Sequence, residues 1–343
     1  MPSPIPSPTH RLSAVLCVAV MSPCAGHFSG ESASAPLPAP IDLTADLIQR
    51  EVDTTFTRAE PAFTLTSTSQ AGASLALSTL ESTSRAFSSL FGQRPPPITV
   101  VVVDTTNPVR AYPRGGDGSK TITLVGAGLA GTAAGNAHVR QTFQKTLTLM
   151  AANAWVGSYA SSWTGALVRR GVLSPEVMTD SAAAPVLPDW LQAASIHLLA
   201  NADAAPQAAR MMRAYADDAA SLTVLFDYEI PQTSDDDLEE FLSDLSIGAM
   251  HPAAFRADVS PPRRQTALFL AEATSVLEFL RDVRGVNVTK DLYAPLLAGA
   301  DIQQVLSRAP IATSIDDLES EWKRWVSSTQ SPQGMASSAE REP

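Results

Sequence analysis

Residues Ile98-Thr-Val-Val-Val-Val-Asp104 are apolar at almost every position and follow directly on Pro95-Pro96-Pro97. Prolines end the element before them, and a β-branched run that is apolar on both sides reads as a strand covered on both faces. It is the strongest strand signal in the chain. Two weaker ones flank it. Ala62 to Thr68 alternates in polarity, and Thr121-Ile-Thr-Leu-Val125 is short and β-prone. Residues 71–92 carry Leu75, Leu77, Leu80, Phe87, Leu90 and Phe91 at helical spacing and stop at Gly92.

Beyond Val125 the pattern changes to helical. A helix is predicted over about 139–158, with Phe143, Leu147, Met150, Ala151, Ala154 and Trp155 supplying apolar faces, and a loop-rich stretch over 157–187. Pro188 introduces a helix over 189–200, and the remainder to about Trp325 reads as helical, broken at Pro231, Pro252, Pro261–Pro262, Gly285 and Pro310. A short helix is also expected over 41–53, capped by Asp42 or Thr44. The fold class that follows is α+β: a small N-terminal α/β half with a short sheet, then a mostly helical half.

Charge narrows the partners. The 343 residues carry a formal charge of −11, and only 17% of them are charged. An acidic surface repels phosphate backbones, so no nucleic-acid partner is expected. Between Asp117 and Glu176 the only charges are Lys120, Arg140, Lys145, Arg169 and Arg170, read as solvated heads around a buried helix. Both cysteines, Cys17 and Cys24, lie near the N-terminus, so the body has no thiol chemistry.

The N-terminus reads as an address. His10 and Arg11 precede a short apolar run over 12–21, about half of the roughly 20 residues needed to span a bilayer. Residues 1–24 are therefore read as a secretory signal. Met21-Ser22-Pro23-Cys24-Ala25 resembles a bacterial lipobox, which would make Cys24 a lipidated first residue and a membrane attachment; Pro23 suits simple cleavage instead, and both readings stand. Residues 25–40 form a flexible tether and 327–343 a disordered tail. The expected location is exported: periplasmic, anchored at the outer membrane, or extracellular.

Gly126-Ala-Gly128-Leu-Ala-Gly131 matches G-x-G-x-x-G after a strand. A dinucleotide site also needs an acidic residue about 20 positions on, to hold the ribose hydroxyls. The window from Leu147 to Trp155 has none, so the match is read as chance, and no cofactor is expected.

Several local patterns occur in an informative order. A long helix closes in Phe91-Gly92 before the proline run and the strand at 98–104. Leu187-Pro188-Asp189-Trp190-Leu191-Gln192-Ala193-Ala194 follows, then a helix over 273–285, then Leu296-Leu297-Ala-Gly299-Ala-Asp301 and Leu318-Glu319-Ser-Glu321-Trp322. This order resembles the peptidase-MA-like, gluzincin-type zinc metallopeptidase domains of exported bacterial proteins. The resemblance covers residues 60–326 and implies a zincin-like domain over 41–326, with the sheet and the active-site helix in 60–158 and the helical part in 159–326.

That family carries H-E-x-x-H on one helix and a glutamate on a later one. Histidines four residues apart share a helix face and one Zn²⁺, and the glutamate takes a proton from the metal-bound water. In this chain Ala151 stands at the first histidine, Ala152 at the glutamate, Trp155 at the second histidine and Ala193 at the third ligand. No shift of register helps, because residues 139–159 contain no His, Asp or Glu. Hydrocarbon and indole cannot bind zinc, so neither a metal nor a catalytic residue is expected. Segments 147–156 and 188–197 should cross, with Trp155 filling the vacated volume.

The remaining histidines, His27, His138, His197 and His251, show no ligand spacing. His197 is read as a packed residue. Trp190 and His197 are the residues that would line a remnant groove between the two halves. Asp235-Asp-Asp-Leu-Glu-Glu240 reads as a capped, solvated helix start. The expected function is a non-catalytic binding or scaffold module at the cell envelope, with an unidentified protein or peptide partner. An active hydrolase with a non-standard site and an unrelated exported α+β protein are the alternatives.

Overall fold

A computed structural model describes residues 56–105, 121–127, 137–174, 187–228, 250–308 and 312–328. The expected helix over 41–53, the acidic run at 235–240, Cys24, the tether and most of the tail lie outside these residues. The protein is mixed α+β and mostly helical, with its sheet in the N-terminal part.

Four strands form that sheet in the order β1 (Phe56–Glu60), β2 (Phe63–Ser67), β3 (Ile98–Thr105) and β4 (Thr121–Ala127). The hairpin β1–β2 is antiparallel, whereas β2–β3 and β3–β4 are parallel. Helix α1 (Gln70–Phe91) makes the connection between β2 and β3, as a parallel pair requires. The valine run is indeed interior: Val100 and Val102 are fully buried, with neighbouring strands on both sides. Ser69 caps α1. Its hydroxyl accepts from Gly72 N–H at 3.0 Å and donates to Asp104 at the end of β3 at 2.7 Å.

Three sequence expectations need correcting here. Strand β1 was not foreseen, because Arg58 and Glu60 interrupt any apolar alternation; they pair with each other at 2.8 Å on an exposed edge. Strand β4 runs on through Gly126 and Ala127, which pair with Asp104 and Thr105, so the first glycine of the G-x-G-x-x-G run belongs to the sheet. Helix α2 (Ala137–Arg169) continues far beyond residue 158, where a loop was expected. Gly157, Ser161, Ser162 and Thr164 are poor helix formers. The hydroxyls, however, bond back to carbonyls three or four residues earlier, and Tyr159 and Leu167 are buried along the same stretch.

The described residues divide into two compact units. One holds the sheet with residues 70–80 of α1 and 137–147 of α2; the other holds the remaining helices. In the helical unit the central element is α7 (Pro261–Arg284), against which α3 (Asp189–Ala200) and α4 (Ala204–Ala214) pack. Shorter helices α5 (Leu222–Asp227) and α6 (Pro252–Asp258) precede it, and α8 (Val288–Leu297), α9 (Ile302–Arg308) and α10 (Ile315–Ser328) follow. Gly92 and Gly285 stop α1 and α7 with φ of 66° and 85°, which a residue with a Cβ adopts only under strain.

Helix α10 is fastened at several points. Trp322 donates from Nε1 to Ser275 at 2.9 Å, Trp325 donates to Asp282 at 2.8 Å, and Glu319 accepts from Leu222 N–H at 2.9 Å. No helix among the described residues is long and apolar enough to cross a membrane.

Candidate functional site

The helix that would carry a metallopeptidase motif is sealed. Ala151, Ala152 and Trp155 lie on α2 at 0% exposure. Trp155 meets Phe87 edge-on at 6.3 Å between ring centres. One turn on, Tyr159 packs as a tilted ring at 4.7 Å from Phe91 and at 5.4 Å from Tyr293. Each such pair adds about 0.5–1.5 kcal/mol beyond the area it buries. Burial raises the Tyr293 phenol well above its ordinary range, and its hydroxyl donates to Ser195 on α3 at 2.9 Å. Through that bond the aromatic cluster reaches α3.

The other site residues foreseen in the sequence lie on α3. Ala193 is half-buried and brings no donor atom. Trp190 and His197, the two groove residues, each keep only 1% exposure, so neither presents surface to a ligand. Trp190 packs on Phe226 at 5.0 Å, while His197 shares a hydrogen bond between Nδ1 and the Thr274 hydroxyl at 2.9 Å. Its Nε2 is buried with no partner among the described residues. Burial lowers the His197 pKa to about 4 and holds the ring neutral. His251 precedes α6 without capping it, and among the described residues no three His, Cys, Asp or Glu side chains are placed to hold a metal ion.

A different place in the helical unit has the features of a site. A pocket of about 600 Å³ opens where the end of α4, α5, α6 and the first half of α7 meet. Its apolar wall includes Phe255 beside Tyr215, ring centres 5.3 Å apart, and Phe269 beside Tyr228, 4.7 Å apart. Arg256 lies over the Tyr215 ring at 4.9 Å and pairs loosely with Asp218 at 3.6 Å, both groups largely in solvent. Arg264 donates to the Arg256 carbonyl at 2.5 Å.

Glu272 completes the lining. It is 2% exposed; one oxygen accepts from Ala220 N–H at 3.2 Å, and Oε1 is buried with no partner among the described residues. Burial pushes its pKa up to about 8. The Ala220 N–H opposes that shift, the nearby Glu319 carboxylate adds to it, and Lys323 works against it. Glu319 goes the other way. Burial disfavours its charge, but Lys323 at 2.5 Å and Leu222 N–H outweigh burial and hold it below the usual carboxylate range.

Sequence reasoning missed Glu272, although a signal was present. The residue follows Phe269 by three and precedes Val276 by four, so it is a lone charge on the apolar stripe of a helix. Compared with family models, with curated proteins and with solved structures, the chain finds no match in any of the three.

Proposed function

We propose that this chain is an exported, catalytically inactive relative of zinc metallopeptidases that acts as a binding or scaffold module at the cell envelope. One observation supports the reading above the others. The segment that resembles the catalytic helix holds Ala151, Ala152 and Trp155, fully buried, where two nitrogen ligands and a carboxylate base would be needed. The residues present do not fit a zinc ion, and no step through one is derived. Attachment through a lipid on Cys24, and an unidentified protein or peptide as partner, belong to the same proposal.

Metal analysis of the purified chain tests it. The expected result is zinc far below one equivalent. A variant carrying Ala151→His, Ala152→Glu, Trp155→His and Ala193→Glu should gain one equivalent if the peptidase geometry persists. Stoichiometric zinc in the unaltered chain would overturn the inactive reading; a folded variant with all four substitutions that binds none would overturn the relationship.

A hydrolase with a non-standard site is the second reading, and Glu272 favours it. A carboxyl that keeps its proton near neutral pH inside a pocket has the property required of a general acid. The accompanying base is harder to supply, because both oxygens of Glu319 are already engaged. Ester or glycoside turnover that disappears in E272Q would establish this reading.

A further inference from the structure

The pocket beside α7 is built with a polarity. Pro261, Arg264, Leu268, Phe269 and Glu272 all line it, at steps of three, four, one and three residues, and so form one face of the helix. The stripe is about 16 Å long, from 1.5 Å of rise per residue. Arginines stand towards one end, a buried carboxyl at the other, and aromatic rings between them.

The polar groups of this lining differ in what they lack. Arg256 faces Asp218 and the Tyr215 ring, Arg264 is bonded to the Arg256 carbonyl, and the Tyr215 hydroxyl donates to the Pro252 carbonyl at 2.8 Å. Within the lining, only Glu272 has a buried side-chain oxygen without a partner among the described residues. A buried carboxyl oxygen left without a partner is costly, and a ligand that bonds it removes that cost. An amine suits it best, since its nitrogen, as an ammonium, donates to the carboxylate that remains once the carboxyl proton has left. Flat or apolar groups suit the rings of Phe269, Tyr228, Tyr215 and Phe255.

We propose that this pocket binds a small aromatic or apolar molecule bearing a nitrogen donor, with the nitrogen on Glu272 Oε1 and the body against the aromatic wall. The inference does not depend on the metallopeptidase-like reading, and zinc analysis has no bearing on it. Glu272 faces Glu319 and Lys323 of α10, and the pocket adds Asp218, Arg256 and Arg264. Burial keeps Glu272 protonated up to about pH 8, so an ammonium that settles on it at pH below that value displaces the proton into solution.

Calorimetric titration of the full chain tests the proposal, with tryptamine and phenethylamine as probes and their alcohol counterparts, tryptophol and phenethyl alcohol, as controls. Titrations run in two buffers of different ionisation enthalpy. At least one amine should saturate at millimolar concentration, bind about tenfold or more tightly than its alcohol, and release a proton. E272Q keeps the Ala220 bond and should weaken the amine about tenfold or more while removing the buffer dependence. L268W, which fills the pocket, should abolish binding with the circular dichroism unchanged. Neither amine saturating, or amine binding that survives in folded E272Q, would overturn the proposal.

Discussion

Around Trp155, rings from α1, α2 and α8 close on one another and enclose two phenols, Tyr293, which donates to Ser195, and Tyr159, whose hydroxyl is buried. Around Glu272, rings of the same kind stand apart and leave about 600 Å³ between them. Aromatic content does not decide which outcome a region reaches. In the first region the rings that face the interior are neutral and mostly apolar, so the chain can collapse to crystal-like density. In the second, Arg256 and Arg264 cannot be packed over without burying charge, and the space persists. Chemistry that needs a ligand is therefore to be sought at α7, away from the helix that resembles a catalytic one.

The contrast breaks most visibly at Trp155. Trp155→Ala should cost about 3–5 kcal/mol, read as a lower denaturant midpoint at unchanged slope, because a sealed cluster cannot refill an indole. Amine binding at α7 should be unaffected. A loss below about 1 kcal/mol would mean that the cluster relaxes and is not the closed region it appears from its geometry.

Two buried ionisable groups sharpen it further. His197 stays neutral down to about pH 4 in the folded chain and takes a proton near 6.5 when unfolded, so its contribution to stability is lost as pH falls through that interval. Glu272 keeps a proton up to about pH 8 that the unfolded chain gives up near 4.5, so stability is lost as pH rises through that interval. Between pH 4.5 and 6.5 the two slopes cancel. E272Q should uncover the histidine, with stability climbing by about 1.4 kcal/mol per pH unit over that range, nearly 3 kcal/mol in all. In the unaltered chain stability should fall by about 2 kcal/mol from pH 6.5 to 8, and E272Q should remove the fall. Urea titrations of both proteins across pH measure each slope; parallel curves would show that Glu272 is ionised throughout.

The smallest effect belongs to Tyr293→Phe. Removing the phenol leaves the Ser195 hydroxyl without its donor, at a cost of about 1 kcal/mol in thermal or chemical unfolding. A larger loss would mean that the bond to α3 holds the ring cluster closed.

Much of the architecture can be read from residue patterns. The valine strand announces itself because both its faces are apolar, and α1 and α7 end at glycines whose backbone is left-handed. The second half of α2 cannot be read this way. Its serines and threonines signal a loop by propensity, and their hydroxyl bonds to earlier carbonyls form only once the helix exists. Strand β1 is hidden for a similar reason, since its exposed charged residues are ordered by pairing with β2 and not by burial. At the site, the lack of metal donors at Ala151, Ala152, Trp155 and Ala193 is plain from the residues. The pocket is not, because it is assembled from segments as distant as Tyr215 and Glu272, and only packing brings them together.

Helix α10 acts as the keystone of the helical unit, and this has a temporal consequence. The hydroxyl of Ser275 and the amide of Leu222 find partners in Trp322 and Glu319, which lie 47 and 97 residues further along the chain. The Ser275 hydroxyl already donates to the Glu272 carbonyl of its own helix at 3.0 Å, so a chain emerging from its N-terminal end leaves the Leu222 amide and the accepting side of that hydroxyl to water until the last described helix has been made. The pairing of these groups is complete only once residues 319–325 are present.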